Sequence, residues 1–176
     1  MTTFFQGRVW KFGEDINTDL IQPGAARNMP LEQRHLACFS ANRPGWSSEV
    51  QPGDIIVAGK NFGTGSSRPA AQNFLKLGVA FIGAETVNGL FLRNSINFGL
   101  PVMAVPGVSS GFEEPDTAEV DLSAGTIRNL RTSQVFQFAP LPPMLLQLLA
   151  QGGLMKVMFE QHKIRRLEAA LPRAEK

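Results

Sequence analysis

Ile55-Ile56-Val57-Ala58-Gly59-Lys60-Asn61-Phe62-Gly63-Thr64-Gly65-Ser66-Ser67-Arg68-Pro69-Ala70 is the stretch on which the reading of this chain turns. Residues 55–58 follow the break Pro52-Gly53-Asp54 and are apolar without alternation. Such a run suits a short strand buried on both faces. Residues 59–68 are rich in glycine and serine. Residues 70–77 then carry Ala71, Phe74, Leu75 and Leu77 at helical spacing, and Gly78 stands where helices close. Pro69 suits the first helical turn, because its missing N–H would have no partner there. The predicted order is buried strand, glycine-rich loop, helix.

Ligands in open α/β folds gather at the carboxyl ends of strands. Loop 59–68 occupies that place. Gly63 and Gly65 allow conformations that a Cβ disfavours and let backbone amides approach a ligand closely. Ser66, Ser67 and Arg68 are expected at a helix N-terminus, with its free N–H donors and partial positive charge. Arg68 adds a planar fork matched to a carboxylate. The segment reads as an anion-binding loop with two hydroxyls; the plain alternative is a flexible turn capped by serine. A Walker loop is excluded, since no Lys followed by Ser or Thr comes after the second glycine. A dinucleotide fingerprint lacks its third glycine. A hydrolase using Ser66 as nucleophile would want a base, and the only histidines, His35 and His162, sit in no motif.

Outward from the loop, residues 7–12 read as a strand, 15–19 as a polar turn and 31–39 as a helix, with a loop over 42–53. Residues 79–82 and 102–105 read as further strands, separated by a helix over 86–93. Strands alternating with helices imply an α/β layered fold. The second half is richer in strands, at 119–122, 126–130 and 135–138, before a helix over 144–149. The charged tail, residues 163–176, lacks a strong apolar stripe and is expected to fray.

The chain has 176 residues, 43% hydrophobic and 18% charged, enough for one domain with a sizeable core. A net charge of +2 is too small to argue for nucleic acid. The single cysteine, Cys38, allows no internal disulfide, and an iron–sulfur cluster needs several thiolates. Residues 1–5 show no signal-peptide pattern, and the apolar stretch 142–159 is broken by Gln147, Gln151 and Gly152-Gly153. The expectation is a cytoplasmic enzyme or enzyme subunit, away from the membrane.

Asn61-Phe62-Gly63-Thr64-Gly65-Ser66-Ser67-Arg68 resembles the signature of 3-isopropylmalate dehydratase small subunits, of which aconitases carry a close variant in their swivelling domain. Three more segments agree in order. Asp15-Ile16-Asn17-Thr18-Asp19-Leu20-Ile21 resembles the family's Asn-Thr-Asp turn. Residues 89–101 resemble its Phe-x-x-Asn-x-x-x-x-Gly-Leu-Pro stretch, and Gly152-Gly153-Leu154 its C-terminal element. The likeness covers roughly residues 4–160.

The resemblance implies a swivelling β/β/α domain over residues 1–160, followed by a charged tail over 161–176. It implies a large partner subunit whose cysteines carry a [4Fe–4S] cluster, and no metal on this chain. It also implies reversible dehydration of a hydroxylated di- or tricarboxylate, 3-isopropylmalate first. Ser66 maps to the base, and Arg68 to the clamp on a substrate carboxylate. Ser67 and Gly65 fall in the substrate-binding set, and Asp19 could orient Arg68 by a charge-assisted pair. Asn94 and Asn97 could line the cleft or serve as ordinary caps. Two departures stand out. Relatives continue the Ser-Ser-Arg triplet with Glu-His or Glu-Gln, whereas this chain has Pro69-Ala70-Ala71. Relatives often read Ile-Ile-Pro-Ala after the Asn-Thr-Asp turn, whereas this chain has Ile21-Gln22-Pro23-Gly24-Ala25-Ala26-Arg27. The second change leaves open a methylated malate or citramalate-like substrate. Arg27 could reach a carboxylate or stay in solvent. A non-catalytic anion-binding module is the reading from another class.

Overall fold

A computed structural model describes residues 3–65 and 70–170. Its strands are β1 (Phe4–Phe12), β2 (Ile55–Ala58), β3 (Phe81–Ala84), β4 (Val102–Ala104), β5 (Thr117–Asp121), β6 (Thr126–Asn129) and β7 (Val135–Gln137). They form one sheet in the order β4-β3-β2-β1-β5-β6-β7. Its helices are α1 (Thr18–Ile21), α2 (Trp46–Glu49), α3 (Ala70–Lys76), α4 (Gly89–Phe98), α5 (Pro143–Ala150) and α6 (Leu154–Ala170).

The sheet has a parallel half and an antiparallel half, and β1 belongs to both. Residues 9–12 pair in parallel with β2, while residues 4–8 pair antiparallel with β5. Gly7 lies in the antiparallel part. A Cβ there would stand 2.0 Å from the Gly53 carbonyl oxygen, so the chains cross too closely for any side chain.

The alternation of strand side chains sorts the core into two layers. Trp10, Phe12, Ile56, Ala58, Ile82 and Ala84 join Phe74 of α3 and Phe91 of α4. Val9, Ile55, Val57, Phe81 and Met103 meet Ala118, Val120, Leu122 and Ile127 of the antiparallel half, which curls back over the sheet. β2 is therefore buried at every position, which explains its unbroken apolar run. The first layer is a chain of rings: Phe12 stacks on Phe39 at 4.2 Å, Phe39 meets Phe74 at 5.7 Å, Phe74 meets Phe62 at 6.4 Å, and Phe62 meets Phe91 at 5.5 Å. Such pairs add about 0.5–1.5 kcal/mol each beyond the area they bury.

The α/β layering matches the expectation, and several elements differ in detail. Residues 31–39 form turns around a 3-10 segment, Arg34–Ala37, rather than a helix. Leu31 and Leu36 point to solvent and Phe39 has a positive φ of 58°, so no apolar stripe runs the length of a helix. The loop over 42–53 contains α2, held by Trp46, which is 1% exposed. The turn over 15–19 passes directly into α1. β3 begins two residues later than predicted, because the Val79 N–H is taken by the Phe74 carbonyl at the end of α3. α4 starts after Asn88, whose side chain accepts the Leu90 N–H. It ends at Gly99 with φ +86°, and the Leu100 N–H returns to the Ser95 carbonyl. Helix α6 carries the charged tail as far as residue 170, and no Gly or Pro interrupts it; residues 171–176 lie outside the described residues. Among the described residues no helix is long and apolar enough to cross a membrane.

Candidate functional site

β1, β2 and β3 run parallel and adjacent, so their carboxyl ends, Phe12, Ala58 and Ala84, lie side by side. The segments that leave those ends are laced together by backbone hydrogen bonds. The Gly59 N–H donates to the Gly13 carbonyl at 3.1 Å, and the Asp15 N–H to the Lys60 carbonyl at 2.8 Å. The Gly63 N–H donates to the Ile16 carbonyl at 2.7 Å, and the Thr18 N–H to the Thr64 carbonyl at 2.8 Å. On the other flank the Phe62 N–H donates to the Thr86 carbonyl, and the Asn88 N–H to the Phe62 carbonyl. The glycine-rich loop thus lies as a middle strip between the Asn-Thr-Asp turn and the entry to α4.

Side chains finish the lacing. Asn17 caps α1, its Oδ1 accepting the Asp19 and Leu20 N–H groups at 3.0 and 2.9 Å. Asp19 is exposed in the first turn of α1, where the helix dipole favours a carboxylate. Asn61 and Asp15 are both left-handed, with φ of 61° and 57°, and the Asn61 Nδ2 donates to the Asp15 Oδ1 at 2.8 Å. The Asn61 N–H donates to the Thr86 hydroxyl at 2.8 Å.

The two glycines work differently. Gly63 has φ +79°, and a Cβ there would lie 2.3 Å from the Phe91 ring. Gly65 has φ +104°, and a Cβ would lie 3.0 Å from the Thr18 hydroxyl oxygen.

Glu85, the first residue after β3, ties this edge to the loop after β4. Its carboxylate accepts the Gly107 N–H at 2.7 Å, the Ser109 N–H at 2.8 Å and the Ser109 hydroxyl at 2.5 Å. Burial pushes its pKa up, but the Ser109 hydroxyl, the two backbone donors and the charge of Lys60 together hold it below the ordinary value.

Of the residues singled out by sequence, Asp19 and Gly65 stand at this edge, both exposed. Ser66, Ser67, Arg68 and Pro69 lie outside the described residues. The helix expected after them begins at Ala70, and Ala70 and Ala71 are buried against the aromatic layer. Their small size suits that contact, and it gives the Ala70-Ala71 part of the departure a packing reason. Asn94 and Asn97 are half-buried on α4, and the cap of that helix is Asn88 instead. Asn97 sits at the far end of α4, beside Gly153. Arg27 is exposed, its carbonyl accepting from Arg34. His35 is half-buried and His162 exposed on α6. Cys38 is 1% exposed, and burial pushes its thiol up to about 12. Among the described residues no three His, Cys, Asp or Glu side chains cluster as a metal site would require. Sequence reasoning missed the Asp15–Asn61 clamp, the Thr86 hydroxyl and Glu85. Only the tolerance of Asn and Asp for left-handed backbone could have hinted at the first. An apolar crevice of ≈ 260 Å³ lies elsewhere, at the amino ends of β3 and β4, lined by Leu75, Val79, Pro101 and Leu149 among others.

The laced region coincides with a family match: the sequence model of the aconitase C-terminal domain covers residues 14–106. The 3-isopropylmalate dehydratase small subunit of Aquifex aeolicus is 43% identical over 160 residues, spanning 89% of this chain and 95% of that protein. The isopropylmalate/citramalate isomerase small subunit of Methanocaldococcus jannaschii is 42% identical over 158 residues, spanning 88% and 94%. The methanogen homoaconitase small subunit of Methanothermobacter thermautotrophicus is 42% identical over 157 residues, spanning 88% and 90%. A crystal structure of 3-isopropylmalate dehydratase from Methanocaldococcus jannaschii superposes with a TM-score of 0.82 at 28% identity, covering 94% of this chain and 99% of that one.

Proposed function

Since the chain belongs to the aconitase C-terminal domain family, we propose that it is the small subunit of a hydro-lyase that isomerises 3-isopropylmalate by dehydration and rehydration. The observation that carries this is the meeting of residues 15–19, 60–65 and 86–91 at one carboxyl edge, all within the matched family region. In this reading Ser66 is the base. Its deprotonated oxygen takes the proton from the carbon next to a carboxylate, and that C–H electron pair becomes the double bond as hydroxide leaves the neighbouring carbon. A serine alkoxide is unstable in water, so it requires donors and a cation beside it, and Arg68 is the cation. Arg68 also grips a substrate carboxylate, with Ser67 donating a second hydrogen bond and Asp19 orienting the guanidinium.

A [4Fe–4S] cluster, which acts in this family as the Lewis acid for the departing hydroxyl, does not fit this chain. The sequence has one cysteine, and it is buried with a thiol that resists ionisation. The cluster is therefore assigned to a larger partner subunit, on which this domain docks.

A second substrate reading rests on the loop after Asp19. The relatives include proteins named for isopropylmalate/citramalate and for homoaconitase at equal identity, 42%. Residues 22–27 differ from the usual pattern there. The test is to co-express the chain with a cluster-bearing partner and assay a panel of 2-hydroxy diacids at the absorbance of the unsaturated products. Ser66→Ala is expected to abolish turnover while assembly persists, and near-normal turnover would remove Ser66 from the base role. Arg68→Lys is expected mainly to raise KM, since lysine lacks the bidentate fork. An unchanged KM would count against the clamp.

A further inference from the structure

Helix α6 is fastened to the body only at its root. Gly153 is buried against the end of α4, where a Cβ would lie 2.4 Å from the Gly99 nitrogen and 2.5 Å from the Asn97 carbonyl oxygen, and Val157 is half-buried. Every residue from 158 to 166 is exposed. Most of a helix's stability in a protein comes from packing an apolar face, and among the described residues this stretch has no such packing. Yet it carries apolar surface. Met155 is 42% exposed, Met158 55% and Phe159 75%. Met155 and Phe159 lie across the helix from Val157. Met155, Phe159, His162 and Arg166 follow one another along one face, so a single stripe runs from apolar at the root to cationic at the tip. Between residues 154 and 166 the cations Lys156, Lys163, Arg165 and Arg166 stand against one acid, Glu160. Adaptable methionines beside an exposed phenylalanine suit a protein contact surface.

We infer that the outward stripe of α6 is a docking arm for the larger partner subunit, and that it lies in an apolar groove whose far end is acidic. A second copy of this chain fits the stripe badly. Two stripes pairing antiparallel would set Met155 of one beside Arg166 of the other, and two pairing in parallel would set cation against cation. A different protein can match both ends at once. The root of α6 sits at the end of α4 remote from the laced edge, so the arm binds away from the reacting groups. The inference rests on the proposed larger subunit, and it gives α6 a part in assembly.

The test titrates the full chain, as wild type and as variants, against the cluster-bearing larger subunit. Met155→Gln/Phe159→Gln and Lys163→Glu/Arg166→Glu are each expected to raise Kd at least about tenfold. The Tm of the isolated chain should not change, because all these side chains are exposed. The charge-reversed variant is also expected to lose the salt dependence of the wild-type Kd. Ile164→Gln alters another exposed apolar residue, on the opposite side of the helix, and is expected to bind like wild type. With the partner in excess over Kd, every complex is expected to keep the wild-type kcat. A Kd unmoved by both double variants, or moved as much by Ile164→Gln, overturns the docking arm, as does a wild-type chain that does not bind the larger subunit. Loss of self-association, or of binding to anionic lipid vesicles, with the partner's Kd unchanged would assign the stripe to a second copy or a membrane surface and overturn it too. A wild-type complex that assembles through the stripe but turns over no hydroxy diacid would instead defeat the proposed reaction and leave the arm standing.

Discussion

At Gly63 and Gly65 one residue type serves two purposes. Replacing Gly63 by alanine places a methyl 2.3 Å from the Phe91 ring in a left-handed backbone, so clash and strain add. Left-handed strain is about 1–2 kcal/mol and overpacking about 1–3 kcal/mol. Gly63→Ala is thus expected to destabilise the chain by about 2–5 kcal/mol in urea unfolding. Gly65→Ala meets only the Thr18 hydroxyl, at 3.0 Å, and its cost is mainly strain, about 1–2 kcal/mol. Equal losses at the two positions would show that Phe91 yields easily and does not fix the loop. The need for glycine at both sites was readable from the sequence, because a Gly-x-Gly run between a buried strand and a helix has few other uses. The partners were not. Nothing in the order of residues says that Phe91 closes over Gly63, or that Asp15 reaches Asn61 across 46 positions. Those contacts are set by the parallel pairing of β1, β2 and β3, a property of the assembled sheet.

Among the elements, those with their own local logic were legible: the buried run of β2, the apolar face and closing glycine of α3, and the Gly-Leu-Pro stop after α4. The segment over 31–39 was not, because its helical spacing of apolar residues conceals two side chains that face solvent. The antiparallel half depends on a similar hidden contact. The side chain of Asp116 is 4% exposed and accepts from Arg131, from Asn129 and from the Glu113 N–H. The Arg131 guanidinium is the main reason its carboxyl lies well below the usual range. Burial opposes that shift, and the Glu113 and Asn129 donors add to it. A carboxyl that binds its proton less tightly when folded contributes full stability above the ordinary value of 3.8 and loses that contribution as pH falls through the folded value. Asp116→Asn is therefore expected to cost about 2–4 kcal/mol at pH 7, and distinctly less at pH 2, where the carboxyl of the unfolded wild-type chain has already taken up its proton. A pH-independent difference in urea midpoints would mean that the contact acts through shape alone.

For the molecule as a whole, the proposed function turns on whether this chain can hold iron itself. This subunit brings the loop edge and one cysteine, and that cysteine packs inside the aromatic layer beside Phe39. A thiol pushed up to about 12 stays protonated at neutral pH, and the thiolate is the form that binds iron. The cysteine count was readable at once, but its burial was not, since residues 31–39 read as a helix and nothing in their order marks Cys38 as facing inward. The isolated chain is expected to remain colourless after incubation with iron and sulfide under reducing conditions. The complex with its partner is expected to be brown. Cys38→Ala separates the roles of the thiol: it deletes a buried sulfur, so it is expected to lower stability by about 1 kcal/mol through a small cavity. Cluster content and turnover of the complex should then match wild type. Iron retained by the isolated chain and lost with Cys38→Ala would place a ligand here, and the assignment of the whole cluster to the partner would fail.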